Sequence, residues 1–236
     1  MNTTCTSSSF SWFTSTITLA LVVCSANASN VSAQTDCTSA PAGLVSWWKG
    51  ENDALDSGGT NHGTLAGNTT YGLARVGQGL FFDGSRDAVQ VGNPADLQLQ
   101  DFTIETWIKR ASATRVSLGG SDGELFCYGS GGYGLGLHND GNLFLTKVDI
   151  DIVTLSTGVN DTNFHHVAVT KAGSTVVFYI DGVAYSVPAY NPTFTFTSGL
   201  AIGARGDNLD ASFYGVIDEV SVYHRALAIN EIQAIH

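Results

Sequence analysis

Two carboxyl groups held about 5–5.5 Å apart can cleave a glycosidic bond, and a β-strand points residues i and i+2 to one face. The chain has five Glu: Glu51, Glu105, Glu124, Glu219 and Glu231. Glu51-Asn52-Asp53 begins such a spacing, but Leu55 stands where a third carboxylate would fall. Asp149-Ile150-Asp151 puts two carboxylates on one face and reads as a solvated strand edge. His165 and His166 are adjacent on a predicted strand, so their rings point to opposite faces and do not share a metal. One is expected to be hydrogen-bonded inside and the other at the surface. Neither a Gly-x-Ser-x-Gly nor a His-Glu-x-x-His motif occurs, so hydrolase signals are missing. Asp218 is the sharper case. It lies between Val216-Ile217 and Val220, where an ionised group is costly unless paired or bound to metal.

Sugar recognition asks for an exposed ring to stack on and for amide or carboxylate groups to meet hydroxyls. Two segments offer that mixture. One is the glycine-rich stretch 126–133 with Tyr128 and Tyr133. The other is Arg205-Gly206-Asp207-Asn208-Leu209-Asp210, followed by Phe213 and Tyr214. The candidate ligand residues are therefore Tyr128, Tyr133, Asp207, Asn208, Asp210 and Tyr214. Arg205-Gly206-Asp207 spells an integrin tripeptide, which three residues do by chance. Trp48 suits an exposed position, whereas Trp47 and Trp107 equally suit a core. Asn68-Thr69-Thr70 and Asn160-Asp161-Thr162 match the N-glycosylation acceptor pattern, which matters only in a eukaryotic secretory pathway.

The balance of charge narrows the partners. Net charge is −11, from 21 acidic and 10 basic residues, which disfavours nucleic acid because phosphates would be repelled. Most of the acids are Asp, which favours turns and oxygen-rich cation sites such as those for Ca²⁺. Charged residues make up only 13% of the chain, about half the usual share, as in many secreted β-proteins.

The first 35 residues read as an exported leader. An apolar run, Ile17 to Val23, precedes Ala26-Asn27-Ala28 and Val31-Ser32-Ala33, both of which fit a signal-peptidase site, although no basic residue comes before Lys49. The run is too short to span a bilayer, so a secreted or cell-surface location without a stable membrane span is expected. Once the leader is gone Cys37 and Cys127 remain. They either pair, tying the N-terminal arm to the sheet, or stay as two thiols. With no CxxC, zinc is not expected.

The elements that must position these residues are strands. After a linker at 36–43, one domain over 44–236 alternates strand and turn almost to the end. Leu44-Val45-Ser46-Trp47-Trp48 opens it, and Gly79 to Gly84 stops at an Asp-Gly turn. Phe102, Ile104, Thr106 and Ile108 take one face of a strand, with Thr103, Glu105, Trp107 and Lys109 on the other. Asn139-Asp140-Gly141-Asn142 joins a hairpin between 133–138 and 143–146. Further strands are expected at 165–171, 175–180, 183–187 and 214–223, and Ile229 to Ile235 is a short closing helix. Many antiparallel strands joined by Gly and Asp turns, with 27 Gly against four Pro, make an all-β sandwich or jelly roll.

An ordered set of phrases resembles the bacterial laminin-G-like family of concanavalin A-like folds across about 43–236. The set runs from Gly43-Leu44-Val45-Ser46-Trp47-Trp48 through Gly77 to Gly84, Phe102 to Ile108, Phe164 to Thr170, Val177 to Gly182 and Ile202 to Arg205. It closes with Tyr214 to Tyr223 and Arg225-Ala226-Leu227. Phe164 stands where the family usually has Trp, and Ala228 where a capping Ser is common. The resemblance implies a two-sheet antiparallel jelly roll, often with a structural Ca²⁺. It makes Asp218, Glu51 and the Asp83-Gly84 turn the candidate ligands. Glucanases on related folds carry Glu-x-Asp-x-Glu on one strand, which no Glu here begins.

The expected function is a secreted, non-catalytic, Ca²⁺-stabilised module that binds a glycan or an extracellular protein through the loops at one end. The alternatives are a glycoside hydrolase or polysaccharide lyase on the same fold, and a structural domain that self-associates.

Overall fold

The computed structural model describes residues 39–236, so the expected leader and the first part of the expected linker, with Cys37, lie outside the described residues. The described chain forms fifteen strands, one α-helix and a single 3-10 turn at Ala95–Leu97. In chain order they are β1 (Leu44–Trp48), β2 (Thr64–Ala66), β3 (Thr70–Leu73), β4 (Gln78–Asp83), β5 (Ala88–Gly92), β6 (Phe102–Arg110), β7 (Asp122–Tyr128) and β8 (Tyr133–His138). Then follow β9 (Asn142–Lys147), β10 (Asp151–Gly158), β11 (Phe164–Ala172), β12 (Thr175–Ile180), β13 (Val183–Ser186), β14 (Leu200–Ile202), β15 (Tyr214–Tyr223) and α1 (Ile229–Ile235).

They make two antiparallel sheets packed as a sandwich. The eight-stranded sheet runs β13-β12-β11-β6-β15-β4-β3, with β1 added against β15, and the seven-stranded sheet runs β10-β9-β8-β7-β14-β5-β2. The jelly roll expected from the turn pattern is what forms, and the hairpins 133–147 and 164–180 pair as read.

Alternation decides what is buried. On β6, Phe102, Ile104 and Ile108 enter the core between the sheets, where they meet Leu125, Leu135, Leu145 and Phe213. Each large side chain of this kind contributes about 1.5–3 kcal/mol when buried. The opposite face of β6 is also buried, because α1 lies across it. Leu227 and Ile232 pack there on Ala168, Tyr179 and Tyr223. A helix of one or two turns is stable only through such contact. Ala228 has no oxygen with which to cap α1, and Glu231 supplies half of a capping box by accepting the Ala228 N–H at 2.8 Å. Arg225 grips the same carboxylate at 2.8 and 2.6 Å.

Several expectations about side chains need correcting. Trp48 is core, 1% exposed, with its indole N–H donating to the Asn61 carbonyl at 2.9 Å. Cys127 is a free thiol with no exposed surface in the middle of the seven-stranded sheet. The bridge expected with Cys37 lies outside the described residues. Asp149 turns the chain at φ +65° before β10 begins, so it shares no strand face with Asp151.

Candidate functional site

The sequence-predicted residues separate into four places. Tyr128 and Tyr133 are not binding residues: both are fully buried. The Tyr133 hydroxyl donates to the Leu97 carbonyl at 2.6 Å, and its ring packs edge-on against Tyr128 and Phe194. They face inward because Tyr133 shares the parity of Leu135 and Leu137, which are core.

The second place is the turn between β14 and β15. Arg205 is held by both Asp149 oxygens at 2.7 and 2.9 Å and by Asp207 at 2.9 Å. Asp207 also accepts the Ser130 N–H at 3.2 Å. The Arg-Gly-Asp tripeptide is thus spent on fastening its own loop to the 149 and 130 turns. Asn208 and Asp210 hydrogen-bond each other at 2.9 and 3.0 Å.

That turn forms one wall of the third place, an open cleft of about 130 Å³ at one end of the sandwich. Gly84, Ser85 and Arg86 form the second wall, Ser117 and Gly119 the third, and Asp210 faces Arg86 at 3.7 Å. Arg86 takes a left-handed φ of 59°, which swings its exposed guanidinium to the rim. Behind Gly84 stands Tyr214, and a Cβ at Gly84 would lie 2.9 Å from it. Tyr214 lines a larger, mainly apolar groove of about 260 Å³ with Leu73, Phe81, Lys109 and Val216. Asp210, Gly84 and Tyr214 therefore do come together, flanking one ridge. Asp83 is engaged beside them: its carboxylate accepts the Ser85 N–H at 2.8 Å and its own N–H donates to the buried Asp87 at 2.6 Å.

The fourth place is a corner on the outer face of the eight-stranded sheet. Asp218 is 1% exposed. One of its oxygens accepts the Val76 N–H at 2.9 Å, while Oδ1 has no partner. Glu51 reaches the same 75–78 turn and accepts the Gln78 N–H at 3.1 Å. Its carboxylate occupies the space beside Gly77, at φ +53°, where a Cβ would collide with Oε1. Burial pushes the Asp218 carboxyl up to about 6, and the Glu51 charge adds to the rise while the Val76 N–H opposes it. Glu219, on the bulge that follows, is pushed up to about 7 by burial although the Trp47 indole donates to it at 2.5 Å. Of the expected Ca²⁺ ligands, Glu51 and Asp218 meet, whereas Asp83 and Gly84 do not. They sit at the far end of β4, with Asp83 opposite Tyr214 and Leu80 opposite Ile217. A spare, buried carboxylate oxygen beside a second carboxylate fits a hard cation that takes its other ligands from carbonyls and water. Among the described residues no group of three or more Asp, Glu, His or Cys side chains converges on one point.

One pair was missed from sequence. Asp122 and Glu124 point to the same outer face of β7, opposite His138 and Gly136. Asp122 meets His138 at 2.7 Å, and burial pushes the Glu124 carboxyl up to about 8. Asp122-Gly123-Glu124 is readable as a two-residue spacing, but the glycines that follow at 129–132 hide the strand that carries it.

The comparisons with known proteins follow the fold. A family model of the concanavalin A-like lectin/glucanases superfamily matches residues 83–233, well over half of the chain. No curated protein sequence matches. Among solved structures, the chain is similar to domain 4 of a GH43 extracellular arabinanase from Geobacillus stearothermophilus, solved with arabinotriose. The identity is 18%, the TM-score 0.65, and the match covers 80% of this chain and 96% of that domain. It is also similar to Trypanosoma rangeli sialidase in complex with sialic acid, at 18% identity and a TM-score of 0.60, over 83% of this chain but 33% of the sialidase.

Proposed function

The chain belongs to the concanavalin A-like lectin/glucanase superfamily, and from that premise we propose that it is a secreted, non-catalytic carbohydrate-binding module stabilised by Ca²⁺. The observation that carries the binding reading is the cleft between Arg86 and Asp210, where a guanidinium, a carboxylate and serine hydroxyls line one open depression. Sugars are read by such convergent polar groups beside an aromatic surface, here Tyr214 on the adjoining groove. The arabinanase domain solved with arabinotriose, which is almost wholly covered by this chain, adds support. An extracellular glycan on a cell surface or matrix is the partner that fits, and the export leader expected over residues 1–35 agrees with it. Among the described residues no helix is long and apolar enough to cross a membrane.

Ca²⁺ enters as a structural ion at Asp218 and Glu51. It would supply positive charge to two crowded carboxylates, and the protein's part is to hold Asp218 Oδ1 free on β15 and to fasten the 75–78 turn over it.

A glycan array followed by calorimetry, with Ca²⁺ and then with EDTA, tests both parts. Binding that Arg86→Ala weakens at least tenfold supports the cleft, and no binding in either condition overturns it. A melting temperature indifferent to EDTA overturns the ion.

The second reading, a glycoside hydrolase, is favoured by one observation: Glu124, with its raised carboxyl, stands two residues from Asp122 on the same face of β7. Against it, Glu124 is 5% exposed, and its Oε2 is walled in without a partner. A polysaccharide cleavage screen showing no turnover removes this reading.

A further inference from the structure

Lysine is almost never fully buried unless something pairs with it. Lys49, Lys109 and Lys147 reach solvent, whereas Lys171 is 1% exposed. Parity puts it there. On β11 it follows Val167 and Val169 on the core-facing side, opposite Phe102 of β6 and Val176 of β12. Its stem runs along the rim of the core, and its amine lies 5.6 Å from the centre of the Phe194 ring. Nζ donates to the Gln100 carbonyl at 2.9 Å and to Asn191 Oδ1 at 3.4 Å. Asp101 Oδ1 lies 3.7 Å away. Burial lowers the pKa of this amine and outweighs the opposing pull of Asp101. A lysine desolvated in this way carries a free lone pair more often than one at the surface, and becomes a nucleophile.

Asn191 lies in the stretch 187–199, which has no helix or strand of its own as the chain passes from β13 in one sheet to β14 in the other. Its neighbours are tied to the ground that holds Lys171. The Gln100 amide accepts the Phe194 N–H at 2.9 Å and donates to the Phe194 carbonyl at 3.0 Å. The Tyr190 N–H donates to the Ser174 carbonyl at 3.0 Å, and Asp101 accepts the Gly173 N–H at 2.7 Å. An amine, an amide and a carboxylate are thus held side by side, which replaces a chance encounter by a fixed one. Pro192 follows Asn191. An asparagine ordinarily loses its amide to attack by the next backbone N–H, and proline has none. Lys171 is left as the nucleophile at hand.

We propose that Lys171 and Asn191 join in a side-chain amide bond, with Asp101 moving protons and ammonia leaving. Asp101 takes one proton from the Nζ ammonium and frees its lone pair. That pair forms the new bond to Asn191 Cγ, which stands one C=O length, about 1.2 Å, from Oδ1. A second Nζ proton is relayed through Asp101 to Nδ2, the Cγ–Nδ2 bond breaks, and ammonia departs with the first proton as ammonium. A lysine ammonium and a primary amide become a secondary amide and an ammonium ion. Nothing is oxidised or reduced, and no co-reactant is consumed. The link fastens the crossing between the sheets, where no ladder holds it, and narrows the unfolded ensemble as a disulfide does. It does not depend on the sugar reading.

Mass spectrometry of the purified full chain tests the proposal. The parent should be lighter than its composition requires by the mass of one ammonia. Digestion should release the Lys171 and Asn191 peptides joined, with tryptic cleavage after Lys171 blocked. Asn191→Ala, at an exposed position, should restore the full mass and separate the peptides with the circular dichroism of the parent unchanged. Asp101→Asn, on a side chain 54% exposed, should slow the loss of ammonia roughly a hundredfold, the lower end of what a placed acid–base group contributes. A parent of full mass overturns the proposal. So does ammonia loss without a joined peptide, or a joined peptide that persists in Asn191→Ala. An Asp101→Asn chain that cross-links as fast as its parent overturns the proton relay.

Discussion

Asp210 and Asp218 lie in one stretch of chain and are the same residue, yet they live under opposite conditions. Asp210 stands on the cleft rim, 59% exposed, opposite an Arg86 that is 73% exposed. Water screens both, and their attraction holds neither in place, so the pair is free to exchange each other for a ligand. Asp218 is 1% exposed on β15, and burial, with the Glu51 charge adding to it, raises its carboxyl to about 6 against the pull of the backbone N–H groups. A charge taken out of water must be completed by donors or by a cation. The Val76 N–H completes one oxygen and leaves the other bare. A buried carboxylate with a spare oxygen is placed to serve the fold, whereas an exposed one with a loose partner is free to meet a ligand, the role proposed for it. Glu124 sharpens the distinction, being buried like Asp218 but without a second carboxylate reaching the same turn.

The largest expected effect therefore comes from Glu124→Gln. Burial pushes this carboxyl from 4.5 up to about 8, the Cys127 hydrogen bond works against the rise and the Asp122 charge adds to it. A carboxyl with a folded value above its unfolded one stabilises the fold while protonated, and that contribution is lost as pH climbs from about 4.5 to 8. Glutamine keeps the neutral shape at every pH. The variant should match the parent at pH 4.5 and exceed it by roughly 2–4 kcal/mol at pH 9 in urea unfolding. Equal stability at both pH values would mean that Glu124 is not the buried acid it is taken to be.

Asp218→Ala comes next. Without Ca²⁺ it should cost about 1–3 kcal/mol, because the turn N–H loses its acceptor, a fall of several degrees in melting temperature for a domain of this size. With Ca²⁺ the gap should widen, since the parent gains a ligand that binds only its folded state. A variant that still responds to EDTA like its parent would place the ion elsewhere.

How far the sequence carried these assignments depends on parity. Asp218 was legible because an acid among Val216, Ile217 and Val220 contradicts its surroundings. The strands at 133–138, 175–180 and 214–223 and the closing helix were legible from alternation and turns. Tyr133 is core rather than a binding surface, and its two-residue spacing to Leu135 and Leu137 is the signal that says so. Glu124 and Cys127 were harder. A bulge between Glu124 and Phe126 lets residues three apart share an outer face, so no period-two rule finds them. The cleft was only half legible: Asp210 and Tyr214 were, but Arg86 gains its place from a left-handed turn and from a strand register that joins β4 to β15.

A smaller effect is expected at His165, between the two extremes of exposure. Burial works to lower its pKa, but Asp181 at 2.7 Å and Asp161 at 3.1 Å outweigh it and hold the ring above its ordinary value. A raised histidine stabilises the fold fully below its unfolded value near 6.5, and the contribution fades as pH rises through the folded value. His165→Gln should flatten that part of the melting-temperature profile between pH 6 and 8 and leave pH 9 unchanged. An identical profile would show that the Asp161 loop is fastened by other contacts.

The smallest effect on stability, and the one that tests the contrast from its other side, belongs to Arg86→Ala. Its guanidinium is exposed, makes one loose contact with Asp210 at 3.7 Å and fills no space in the core. Removing such a side chain usually moves stability by no more than about 0.5 kcal/mol, and relief of the left-handed φ of 59° is not obtained by alanine, which keeps its Cβ. Unfolding should therefore be almost indistinguishable from the parent while sugar affinity falls. If Arg86→Ala unfolds the domain, the rim is structural after all, and the division between a buried acid that serves the fold and an exposed one that serves a ligand fails at the point where it makes its functional claim.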